Sequence, residues 1–353
     1  MNKNVTIPFY AKIALISISC FAFVFILHYG QNIISPIIYA LILAILLNPL
    51  VNLFLKKMSR ILAITCAVLI ATVFIFSLVY IIVSQLSFFS DTFPKLQVKF
   101  NEMSGQFIQW ISLEFNLKVS DVNTWIIGTQ KDIIRNLAIG ESISRVGQSF
   151  VTVLIMPVYL IMILYYKPLF LEFLRKLFKA EYHKTVAEVL HNSKVIVQSY
   201  LVGLLVEMVI IAVLNSIGLL VLDIDYAILL GILGAILNVI PYLGGIIGVV
   251  VFMGVALVTK TPVYMLYVMV MYSIIQFIDN NFIIPKIVAS RVQINAFVSV
   301  IVVLIGGALW GLSGMFLSIP ITAIIKVILD HINSLKPWGF LLGNSLPINR
   351  SRK

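Results

Sequence analysis

Long apolar runs alternate with two polar segments along this chain. A helix needs about 20 apolar residues to cross the hydrocarbon core of a bilayer. Runs near that length lie at 13–27, 33–55, 61–86, 150–166 and 195–222, followed by 226–258, 263–284 and 296–329. The second carries Pro36 and, near its inner end, Asn48-Pro49. This pattern predicts an all-α, polytopic membrane helical bundle of about eight hydrophobic segments. Of the polar segments, 87–147 mixes both signs of charge. Within it Phe100, Met103, Phe107, Trp110 and Ile111 recur at helical spacing, and Ser120-Asp121 offers a cap for a second helix. The other, 167–194, is basic. Four regions follow: a three-span scaffold (1–86), an amphipathic helical segment (87–147), a fourth span with a basic helix (148–194), and a core with a basic tail (195–353).

The run 226–258 is interrupted by Asn238-Val239-Ile240-Pro241-Tyr242-Leu243-Gly244-Gly245. Asn, Pro and paired Gly at the centre of an apolar run signal a deliberate break. Such a break is tolerated at membrane depth only inside protein or beside a water-filled cavity. The last run has its own interruption, Gly311 to Pro320, with Gly314 between. Positive-inside bias places the N-terminus, the 56–60 loop (Lys56, Lys57, Arg60) and 167–194 in the cytoplasm, and 87–147 outside. If 226–258 crossed once, Lys286 and Arg291 would lie outside. If it turns back as a re-entrant hairpin they lie inside, and 296–329 must also be a hairpin to keep Arg350, Arg352 and Lys353 cytoplasmic. Two plain crossings are the alternative.

Composition sharpens this picture. Hydrophobic residues make up 61% of the chain and charged ones 11%, against about 25% charged in soluble domains. Long helical runs, in place of weak ten-residue alternations, argue against an outer-membrane barrel. Lys3 and Lys12 precede the first apolar run without a small-residue cleavage site, so a retained first helix is expected. The net charge of +11 comes from Lys and Arg beside spans, which points to anionic headgroups of the lipid bilayer and not to nucleic acid. Cys20 and Cys66 read as small buried hydrophobes.

Candidate chemistry is sparse. Glu207 and Asp279 sit near the middle of apolar runs, where a charge costs about 2.5–3.5 kcal/mol to insert. Asp279 has polar company in Gln276, Asn280 and Asn281, followed by Pro285. Carboxylate and amide oxygens at that density suit a desolvated cation or a titrating proton. The competing reading is hydrogen bonding between helices, which draws Asn and Gln into interfaces. Glu207 has only Gln198 and Asn215 as polar company in its helix. Asn238 and Pro241 would expose backbone groups at the first break, which Gly244 and Gly245 complete, while Gly311 and Gly314 belong to the second; Gly244 with Gly248 and Gly307 with Gly311 also form small-xxx-small pairs that let helices pack closely. His28, His183, His191 and His331 are scattered, and no metal-ligand, nucleophile or phosphate-loop motif appears. No catalytic residue, metal or cofactor is therefore expected, and ATP-driven transport within the chain is not expected either.

These residues carry a family resemblance. Asn238-Val-Ile-Pro-Tyr-Leu-Gly-Gly245, the stretch from Gln276 to Pro285-Lys286, and Gly306-Gly-Ala-Leu-Trp-Gly-Leu-Ser-Gly-Met-Phe-Leu-Ser-Ile-Pro320 make the chain similar to the autoinducer-2 exporter family, the PerM-like permeases. The likeness is best over 190–337, while the N-terminal half matches in layout only. The resemblance implies a multi-pass protein of the cytoplasmic (inner) membrane, a homo-oligomer, and export of a small autoinducer-2-like solute, or sodium(lithium)/proton antiport. Asn295-Ala296 stands where the family usually has His-Pro, and Ala289-Ser290-Arg291 replaces its Gly. The expected function is a secondary transporter using Asp279 with Asn280 and Gln276. A passive channel and a structural membrane partner are the rivals.

Overall fold

The computed structural model describes residues 8–77, 139–240, 243–288 and 294–344, with 80, 98, 102, 105, 109 and 113 between them; over 139–154 it fixes the backbone only. The amphipathic face from Phe100 to Ile111, the Ser120-Asp121 cap, Pro241, Arg291 and the basic tail fall outside the described residues.

Among the described residues there is no strand, and the chain is an all-α polytopic bundle. Helix α1 spans Phe9–Tyr29 and α2 Gln31–Phe54. They are followed by α3 (Arg60–Ser77), α4 (Ile139–Leu177) and α5 (His183–Val221). Next come α6 (Ala227–Asn238), α7 (Leu243–Thr259), α8 (Val263–Ile278) and a π-helical segment, Asp279–Val288. The last helices are α9 (Ala296–His331) and α10 (Lys336–Leu342). Seven described helices are long and apolar enough to span a membrane, while α6 and α7 are shorter.

Two compact units share these helices. One contains residues 54–158 and 203–287. Within it α6 and α7 form an antiparallel hairpin. Gly244 packs against the carbonyl of Leu237, Gly248 lies near Gly234, and Phe252 covers Gly234. At the open end, Lys260 Nζ donates to Asp223 Oδ2 at 2.6 Å, so the two ends of the apolar run meet. A single crossing would separate them by about 30 Å. The run is therefore a hairpin, with α6 rising only about 18 Å. Its core is Leu219, Ile224, Ala227, Leu230, Phe252, Val255, Ala256, Val268 and Tyr272.

The other unit contains residues 1–53, 159–202 and 288–353. In it α9 is also folded on itself. Trp310 (φ −135°, ψ 19°) and Gly311 (φ 59°, ψ −140°) leave helical geometry, and the arms on either side meet at Gly306 and Gly314, each against the other's carbonyl. The turn is confined to Trp310 and Gly311. Gly314 and Pro320, expected within the interruption, are buried in the second arm. A proline inside a helix loses one backbone bond, which neighbouring helices make tolerable in a membrane. Near the tip, Trp310 Nε1 donates to the Leu27 carbonyl at 2.8 Å, and Tyr39 donates to the Ser313 carbonyl at 3.1 Å. The base is closed by Asn295. Its side-chain oxygen caps α9 by accepting from the Val298 N–H at 2.9 Å, as N-cap amides do. Its Nδ2 donates to the carbonyls of Leu341 at 2.8 Å and Gly343 at 3.0 Å, which seats α10 there.

One expectation is corrected. Cys20 is exposed on α1, a helix that buries no residue, and Cys66 is only half-buried. On a membrane span, lipid can replace the protein core as apolar surroundings.

Candidate functional site

Three elements of the first unit converge on two acids. The C-terminal half of α5 turns Glu207, Ile211, Asn215 and Leu219, spaced four apart, onto one buried face. The last residue of α6 is Asn238. Asp279 stands where α8 passes into the π-helical segment. Asp279, Asn280 and Asn281 compete with the backbone for hydrogen bonds, and Pro285 has no N–H to donate, so the wider turn accommodates a sequence unsuited to a regular α-helix.

Asn238 Nδ2 donates to Glu207 Oε1 at 3.1 Å and to Asp279 Oδ2 at 2.9 Å. One amide nitrogen has two hydrogens, so a single group serves both acids. Glu207 is 5% exposed and Asp279 0%. Asp279 Oδ1 has no hydrogen-bond partner among the described residues. Among the described residues, neither carboxylate pairs with a Lys or Arg. Two acids this close in apolar surroundings stay ionised together only when a positive charge joins them. The pair can therefore accept a proton or a cation. Among the described residues, no cluster of three or more His, Cys, Asp and Glu forms a metal cage.

Around this pair, Gly245 lies beside the Tyr272 hydroxyl and the Gln276 amide; a β-carbon there would sit 3.4 and 3.6 Å from them. Glu207, Asn238, Gly244, Gly245, Gln276 and Asp279 thus share one region of the unit. Asn280, Asn281 and Pro285 do not turn inward: all three are exposed, and Asn281 donates to the Phe277 carbonyl at 2.8 Å. Gly311, Gly314 and Pro320 belong to the α9 hairpin of the other unit. Asn215 and Tyr272 carry no motif. The available signal for Asn215 is its spacing from Glu207 and Ile211, which puts acid and amide on one helix face.

At the open end of the α6–α7 hairpin the electrostatics are different. The Lys260 ammonium, donating to Asp223, holds that carboxyl below the ordinary carboxylate range. Asp223 in turn raises Lys260, with a smaller contribution from Asp225.

The model of the AI-2E family transporters matches residues 15–334. The chain belongs to the AI-2E transporter family. Relatives of this AI-2E transporter include YueF of Bacillus subtilis (strain 168), 24% identical over 84% of this chain and 83% of its own. YhhT of Escherichia coli (strain K12) is 23% identical over 92% of each chain. YrrI of Bacillus subtilis (strain 168) is 33% identical, but the match spans 37% of either chain. All three carry provisional labels as transport proteins. Family and helices together make the chain a multi-pass membrane transporter.

Proposed function

We propose that this chain is a cation-coupled secondary transporter of the cytoplasmic membrane, with both termini in the cytoplasm, that exports a small polar, autoinducer-2-like solute. The coupling ion, a proton or sodium, binds at Glu207 and Asp279. The observation that carries this reading is the Asn238 amide donating to both acids at once, with no basic side chain against either among the described residues. A cation arriving at the pair displaces the amide from one or both oxygens. Asn238 ends α6, so that displacement pulls on the tip of the α6–α7 hairpin and couples ion binding to its movement. The α9 hairpin, turning at Gly311, serves as a second gate.

The same pair also fits sodium(lithium)/proton antiport, in which the two ions compete for it and no organic solute is carried. Proteoliposomes separate the readings. Wild type, Asp279→Asn and Glu207→Gln are compared for autoinducer-2 efflux and for sodium/proton exchange under imposed gradients. Gradient-driven flux that falls at least about tenfold in either variant, a barrier change of about 1.4 kcal/mol, supports the proposed site. Unchanged flux in both, with normal insertion, removes the pair from the mechanism. Flux that neither saturates nor follows a gradient assigns a passive channel instead.

A further inference from the structure

Asn215 lies two turns along α5 from Glu207, on the same buried face, and is 0% exposed. Among the described residues, neither its side-chain oxygen nor its side-chain nitrogen has a hydrogen-bond partner. Buried amides in folded proteins are almost always paired, so one with both ends open needs an explanation. Glycines of α6 lie opposite. A β-carbon on Gly234 would lie 3.3 Å from Asn215 Nδ2, and one on Gly231 would run into Ser216. The glycine face of α6 is thus pressed directly on Asn215 and Ser216, and Phe252 of α7 closes over Gly234.

An amide with both ends open presents a donor and an acceptor side by side. A bare cation would use the oxygen and leave the N–H groups unmatched. A hydroxyl group accepts from the nitrogen and donates to the oxygen, and so matches both. We infer that Asn215 is a second polar station on the transport path, covered by the α6–α7 hairpin in this structure, which receives a hydroxyl group when the hairpin moves off α5. The carboxylate pair takes the ion, and the neutral amide about 12 Å along the helix takes the uncharged ligand. This inference deepens the proposed transport reading and rests on it. The hydroxyl belongs to the solute or to water that fills the path.

Thiol chemistry in full-length protein tests it without knowledge of the solute. Asn215→Cys and Val213→Cys are made in a Cys20→Ala, Cys66→Ala background, reconstituted in vesicles and treated with a small hydrophilic methanethiosulfonate. Val213 is 51% exposed on the same helix, on an apolar outer face. The thiol at 215 is expected to react about tenfold faster than that at 213, because thiolate forms where water reaches. Protection of 215 by ribose, used as a hydroxyl-rich probe, assigns the solute as the source of the hydroxyl; reaction without protection assigns water. An inert thiol at 215 overturns the inference. Should Asn215→Cys fail to insert, hydroxyl-radical footprinting of the wild type replaces it. Oxidation of Phe252, divided by its rate in unfolded protein, well above the same ratio for Val268 supports the station, and equal ratios overturn it. Neither result depends on Glu207 or Asp279, so failure here is distinct from failure of the carboxylate site.

Discussion

Asn238 is bonded to both acids of the carboxylate pair. Hydrogen bonds to a charged group contribute about 1.5–3 kcal/mol each, and Asn238 makes one to each acid. Asn238→Ala is expected to lower flux in proteoliposomes by roughly ten- to a hundredfold while leaving membrane insertion intact. Two residues at the open end of the hairpin behave more simply. The Asp223 carboxyl is lowered by Lys260, so the pair's contribution is fully present above the ordinary aspartate value of about 3.9 and is lost as pH falls through the lowered one. Asp223→Asn is therefore expected to lower Tm slightly at pH 7, less so at high salt, and to leave it unchanged at acid pH where wild type has also lost the pair; thermal melts at both pH values check this. The legibility of these residues in the sequence differs for physical reasons. Glu207 and Asp279 stand out because an acid inside an apolar run is costly. Asn238 stands out as part of a break. Asn215 does not, since an amide in a span is ordinary in helix interfaces. The pairing of Asp223 with Lys260, 37 residues apart, leaves no periodic trace.

The two hairpins depend on different glycines in different ways. Gly311 has φ 59° and ψ −140° with open space around it, so a methyl there meets no neighbour and the whole penalty is backbone strain. Gly311→Ala is expected to destabilise the protein by about 1–3 kcal/mol in a denaturant titration. Gly244→Ala drives a methyl into the Leu237 carbonyl and should destabilise further by splaying the arms. Gly254 lies in α7 with nothing within 4 Å, and Gly254→Ala should instead stabilise by up to about 1 kcal/mol. The sequence marked the first break well, because Asn, Pro and two Gly coincide there. It overextended the second, because Pro320 reads as a breaker although its helix continues through it. The π-helical stretch after Asp279 was not legible, since apolar spacing does not distinguish a wide turn from a regular one over ten residues.

For the whole molecule, the Lys260–Asp223 contact fixes a relation between distant loops. The chain leaves α5 and enters α8 on the same side of the membrane. Asp225→Cys and Thr261→Cys, both at exposed positions, should therefore be labelled by an impermeant thiol reagent from one and the same face; labelling from opposite faces would restore a single crossing. Charge bias in the sequence pointed to this turn-back, but only the joined ends decide it. The short first arm has a further consequence. An arm of about 18 Å stops well inside a hydrocarbon layer of about 30 Å, so its polar tip depends on how thick the surrounding lipid is. Longer acyl chains would bury that tip deeper and shorter ones would bring headgroups toward it, so flux measured in vesicles of graded chain length is expected to vary with bilayer thickness.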